Sequence, residues 1–94
     1  MTVALNERVI PAPQVLFKDI GGEAVLLDLG TETYFGLNET GARFWHQLTA
    51  SPTVLEAWEV LRDEFDVAPE TLLDDLRLLI DELVEHHLLQ VDRD

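Results

Sequence analysis

The run TYFGLNETGARFWHQL, residues 33–48, changes its period part-way along. As far as Leu37 it reads as a strand, aromatic and uncharged. After Asn38 the period goes from two to nearly four, with Gly41, Trp45 and Leu48 on one stripe and Phe44 beside them. Asn38 suits the N-cap position, because its side-chain oxygen can accept one of the unpaired amide protons of a first helical turn. Glu39 suits the positive end of the helix dipole. The run predicts a strand that passes directly into a helix ending near Ala50.

Upstream lie two further short apolar runs, VLFKDI and EAVLLDL, separated by Gly21-Gly22 and followed by Gly30-Thr31-Glu32. A double glycine between apolar runs signals a hairpin, since glycine accepts the positive φ of tight turns. The three runs predict a three-stranded antiparallel meander whose last strand is 33–37. Before it, residues 1–13 end in the prolines of IPAPQ, which remove donors and favour an extended path, so they read as an N-terminal arm or edge piece.

Downstream, Thr53-Val54-Leu55-Glu56 matches a capping box, and Val54, Ala57, Trp58, Leu61 and Phe65 form the stripe of a second helix. Residues 66–68 make a turn, and Pro69 at a first helical position launches a third helix. Its apolar positions, Leu72, Leu73, Leu76, Leu79, Ile80, Leu83 and Val84, span about 140° at 100° per residue, wider than one core contact requires. Either the helix is buried on two sides or part of it forms the open wall of a groove. The ending LLQVDRD suggests a short strand. The expected organisation is an arm at 1–13, a domain at 14–91 and a tail at 92–94, with an α+β fold of three antiparallel strands followed by three helices.

At 94 residues, with 47% apolar and 27% charged residues, the chain has the size and composition of one small folded domain. It has no cysteine, which excludes disulfides, thiolate metal sites and thiol nucleophiles and favours an intracellular, cytoplasmic setting. No signal-peptide pattern or membrane-length apolar run is expected. The formal charge is −13, and residues 56–94 hold thirteen of the nineteen acids against three of the six bases. Such a charge repels nucleic acid and anionic membranes. It serves solubility alone, or it steers basic segments inward.

Catalytic chemistry finds few candidates. His46 stands alone on a helix. His86 and His87 point about 100° apart and cannot together grip one metal. Glu82 and His86 share a face at i, i+4, but two ligands without a third make a weak site. No Gly-rich phosphate loop is present, so no cofactor is expected. Strands beside a helix-turn-helix also describe a winged-helix DNA-binding domain, and a transcription regulator or an acidic protein-binding derivative of one is the competing reading. The third helix argues against the DNA version, for it offers Glu70, Asp74, Asp75, Asp81, Glu82 and Glu85 against Arg77 alone.

The run YFGLNETGARFW, preceded by EAVLLDLGTET and followed by a capped helix, an acidic turn with proline and a Leu-rich helix, resembles the PqqD family over about residues 14–91. Tyr34-x-Gly36-Leu37-Asn38-x-x-Gly41 followed by Trp45 carries most of the likeness. Ala68 departs from it, standing where a better capping residue is expected. Members are named for pyrroloquinoline quinone biosynthesis and are similar to the recognition domains of ribosomal peptide modification systems, lasso peptide pathways included. The resemblance implies a winged-helix-like domain without catalytic activity. It would bind the leader segment of a precursor peptide as an added strand and present it to a modifying enzyme, such as a radical SAM protein, or to a leader peptidase. Carried onto this sequence, the peptide site comprises Thr33, Tyr34, Phe35, Gly36 and Leu37 on the strand and Leu72, Asp75, Leu76, Leu79 and Glu82 on the third helix.

The residues support that site independently. A last meander strand is an edge with unpaired backbone groups, and 33–37 contains neither proline nor charge to defend it. Read conservatively, Tyr34 and Phe35 are core side chains and Gly36 eases a bend. Read functionally, the strand accepts another.

Overall fold

A computed structural model describes residues 3–92 of the protein. Strand β2 (Val15–Ile20) turns at Gly21 and Gly22 into β3 (Glu23–Asp28), and both glycines have positive φ, 62° and 97°. A type I′ hairpin turn requires that pair of conformations. Asp19 Oδ1 steadies the turn by accepting from the Gly22 amide at 3.1 Å. β3 then pairs with β4 (Thr33–Leu37), giving the antiparallel order β2-β3-β4.

The register fixes two faces. Phe17, Leu26 and Phe35 stand opposite one another on the inner face, where Leu26 is fully buried and the Phe17 ring stacks on Trp45 at 6.2 Å. Leu16, Leu27 and Tyr34 form the matching row on the outer face.

Helix α1 (Glu39–Ala50) begins at Asn38, whose Oδ1 accepts from the Gly41 amide at 2.8 Å. Gly41 allows the helix to start this close to the sheet. A Cβ there would sit 3.3 Å from both Asn38 Oδ1 and Leu37 Cδ2, tighter than side-chain packing normally permits. Helix α2 (Val54–Glu64) is capped by Thr53, whose Oγ1 accepts from the Glu56 amide at 3.1 Å. Its Trp58 indole donates to the Pro69 carbonyl at 3.0 Å, and Phe65 packs edge-on against Phe44, so the turn into α3 (Pro69–Glu85) is fastened at both sides. This α2-turn-α3 unit beside a small antiparallel sheet is the winged-helix-like α+β arrangement expected from the sequence.

Ala68, the N-cap of α3, makes no side-chain capping bond, although its extended backbone suits one. Ala68→Ser should supply an acceptor and raise stability by about 1 kcal/mol, or about 4–8 °C in the thermal midpoint of a domain this size. A differential scanning fluorimetry trace checks it, and an unchanged midpoint would mean that water already satisfies those amides.

Residues 3–11 are built into the fold as an edge piece, and residues 1 and 2 lie outside the described residues. Strand β1 (Arg8–Pro11) pairs antiparallel with β5 (Leu89–Asp92), forming a second, two-stranded sheet, and Val3 and Val9 are buried in the common core. The Glu7 and Leu5 carbonyls accept from the Val54 and Leu55 amides, satisfying donors at the start of α2. The short strand suggested for the chain's end is β5, while residues 93 and 94 lie outside the described residues.

Candidate peptide-binding edge

The three-stranded sheet has two free edges, β2 and β4, and they are not alike. β2 carries Lys18 and Asp19, charges of the kind that deter pairing with another chain. β4 carries none, and Tyr34 on it is 77% exposed. Thr33 and Gly36 are also exposed, Phe35 is half-buried, and Leu37 is buried in the core. The conservative reading of both aromatics as core fails at Tyr34, which faces solvent, while Phe35 sits at the boundary and Leu37 packs inward.

Helix α3 shows where the β4 edge looks. The Phe35 ring lies 5.5 Å from the imidazole of His86, the residue that caps the C-terminus of α3, at a tilt of 51°. At 100° per residue, Asp75, Leu79, Glu82 and His86 share one flank of that helix. The flank that meets Phe35 is thus the one bearing Asp75, Leu79 and Glu82. Asp75 and Glu82 are exposed and Leu79 is half-buried, so they form an apolar seam with an acidic margin. Leu72 and Leu76 turn inward instead, 2% and 0% exposed, and support the seam from the core side. The centre of the broad apolar arc, Leu72, Leu76, Ile80 and Leu83, is core, and Leu73, Leu79 and Val84 at its margins are half-buried.

His86 was not among the residues singled out for this site. Only its i, i+4 relation to Glu82 pointed toward it, and that relation had suggested metal binding. Among the described residues no three His, Cys, Asp or Glu side chains come together to hold a metal ion. His86 keeps its place because α3 ends abruptly after it. His87 adopts the left-handed conformation, φ 61°, and the His87 and Leu88 amides return to the Val84 and Leu83 carbonyls, a Schellman closure built on a residue other than glycine.

The start of β4 is set by a buried carboxylate. Asp28 Oδ1 accepts from the Gly30 and Thr31 amides at 2.9 and 3.2 Å, closing the turn that leads into the edge strand. Burial by itself would raise the Asp28 pKa. The backbone hydrogen bonds from Thr31 and Gly30, with side-chain bonds from Gln14 and Thr31, outweigh it and hold the group below the ordinary aspartate value. A folded-state pKa below the unfolded one gives stability that is complete above the unfolded value and is lost as pH falls through the folded value. Asp28→Asn should therefore be less stable than wild type at pH 7, with the gap narrowing on acidification below about pH 4. Urea midpoints measured across that range test this, and a gap that stays constant would show that the turn does not depend on the charge.

Residues 23–89, which include the β4 edge, α1, α2 and the whole of α3, match the family model described as Coenzyme PQQ synthesis protein D (PqqD). The chain belongs to the PqqD family. Two solved structures share the PqqD-like fold seen here. TbiB1 in complex with the TbiA(beta) leader peptide superposes with a TM-score of 0.82 at 33% identity, over 90% of this chain and 99% of that one. Lasso peptide synthetase B1 complexed with the leader peptide superposes with a TM-score of 0.80 over 88% of this chain and 98% of that one. At 22% identity, that likeness establishes the fold alone. No curated protein matches the sequence. No helix among the described residues is long and apolar enough to cross a membrane.

Proposed function

We propose that this PqqD-family protein is a cytoplasmic, non-catalytic peptide chaperone. It binds the leader segment of a ribosomally made precursor and presents it to a modifying enzyme, such as a radical SAM protein, or to a leader peptidase. The observation that carries this reading is the contrast between two edges of one sheet. β2 is guarded by Lys18 and Asp19, whereas β4 is uncharged and opens toward the seam on α3. The relative at 33% identity, solved in complex with a leader peptide, supports it.

In this mode the leader adds beside Thr33, Tyr34, Phe35, Gly36 and Leu37. Main-chain hydrogen bonds supply affinity and alternate side chains supply specificity. Side chains on the inner side enter the seam at Leu79, with Leu72 and Leu76 behind it, and Asp75 and Glu82 attract basic residues along the margin. No cofactor takes part, and nucleic acid and anionic membranes are repelled by the −13 charge.

The test is nuclear magnetic resonance with the leader peptide of a candidate precursor from the same genome. Amides of 33–37 and of the α3 flank from Asp75 to His86 should shift together, and a response in only one of them would mean another mode. In surface plasmon resonance, Asp75→Lys with Glu82→Lys should slow association of a basic leader and flatten its salt dependence. Leu79→Ala should raise the dissociation rate by about tenfold. Wild-type kinetics in both variants would remove the α3 flank from the site.

A further inference from the structure

The segment Pro11-Ala12-Pro13-Gln14 crosses from the two-stranded sheet to the three-stranded one, and it lies outside residues 23–89, the stretch that matches the family model. Its two prolines lock φ, so the chain crosses as a stiff strap. Ala12 is buried, and its amide donates to the Leu88 carbonyl at 3.0 Å. The Val15 amide returns to the Ala12 carbonyl at 3.1 Å, and the Leu29 amide donates to the Gln14 carbonyl at 2.9 Å. Backbone bonds thus seat the strap between the junction of α3 with β5 and the end of β3.

Gln14 carries this connection to the mouth of the groove. A primary amide has two N–H donors, enough to serve two acceptors at once. The Gln14 Nε2 donates to the His87 carbonyl at 3.2 Å, and the same side chain bonds the Asp28 carboxylate. His87 holds the left-handed turn that ends α3, one residue past the imidazole that meets Phe35. Asp28 closes the turn that leads into β4. A single half-buried side chain therefore spans the end of one wall and the start of the other. A cleft of about 460 Å³ opens at this end, between Thr33 and the His86-His87 pair, and Gln14 and Asp28 line it.

Resting on the function proposed above, we infer that Gln14 is a positioning residue for the leader: acting through His87 and Asp28, it fixes the spacing between β4 and the flank of α3. That spacing matters because an added strand lies about 4.8 Å from the edge it joins, and its side chains have a fixed reach beyond it. When the end of α3 drifts from β4, a peptide paired with the edge no longer meets the seam at Leu79. The peptide must then hold the two walls in place itself, and the cost of ordering them is subtracted from its affinity.

The experiment uses the full chain. Gln14→Met keeps the length of the side chain and removes its donors. In the free variant, relaxation dispersion by nuclear magnetic resonance should show microsecond-to-millisecond exchange at residues 33–35 and 85–88 that wild type lacks. Affinity for the leader peptide of a candidate precursor from the same genome should fall about fivefold, mainly through faster dissociation, while circular dichroism shows the wild-type fold. Gln14→Lys restores donors for the same two acceptors. At about 0.5 M salt, where its added charge is screened, it should lose the exchange and bind the leader within about twofold of wild type. Absence of new exchange in Gln14→Met overturns the inference, and weaker binding without exchange would mean that Gln14 touches the peptide directly. Wild-type affinity in Gln14→Met overturns it as well, and so does a Gln14→Lys variant as weak as Gln14→Met. If wild type binds no leader, the proposed function falls, while dispersion in the free protein still decides whether Gln14 holds the two walls together.

Discussion

Trp45→Ala should cost about 3–5 kcal/mol of stability, a large part of the total that a domain of this size possesses. The ring is 4% exposed and lies parallel to Phe17, interplanar angle 6°, so it joins α1 to the inner face of the sheet. Truncation leaves a cavity that neither partner can close. Leu48, on the same stripe, is held by the core, and the sheet is tied to α1 through the tight contact at Gly41. The thermal midpoint should fall by about 15 °C or more. Urea unfolding followed by Trp58 emission measures the effect, because that second tryptophan reports on α2 and the start of α3. A soluble variant with the wild-type midpoint would show that the indole does not bridge helix and sheet.

The largest effect on binding is expected from the peptide's own backbone. A strand added to β4 presents the N–H and C=O groups of every second residue to the edge, while those of the intervening residues point away. Methylating the amides of one alternate set removes two or three hydrogen bonds, each worth about 0.5–1.5 kcal/mol net, and inserts methyl groups between the strands. Affinity for that peptide should fall by about tenfold or more, whereas the peptide methylated on the other set should bind within about twofold of the parent. Isothermal titration of the two methylated leaders against the unmodified one decides the mode. Equal losses in both would point to a helical or irregular peptide lying on α3 without joining the sheet.

What could be read from the sequence was local. Asn38 announces α1 because capping is a contact between a side chain and an amide three residues away. The same holds for Thr53 before α2 and for Pro69 at the head of α3. Gly21-Gly22 marks the hairpin because the positive φ of both residues is a property of the turn itself. The uncharged strand at 33–37 could also be recognised as a vulnerable edge, since pairing order in a meander follows chain order.

The sequence by itself thus determined the elements, their order and one undefended edge. Only the tertiary structure decided what those elements face. The pairing of Arg8–Pro11 with Leu89–Asp92 joins segments at opposite ends of the chain, and nothing local to either strand names its partner. The arc of α3 was known to be broad, yet periodicity cannot tell which part of an arc is covered. Packing buries Leu72 and Leu76 and leaves Asp75 and Glu82 at the margin. His86 joins the β4 edge through the Phe35 ring, a contact between residues about fifty positions apart. Caps and turns are fixed by interactions within a few residues, so the sequence displays them, whereas a groove is the space left between elements and exists only after the whole chain has packed.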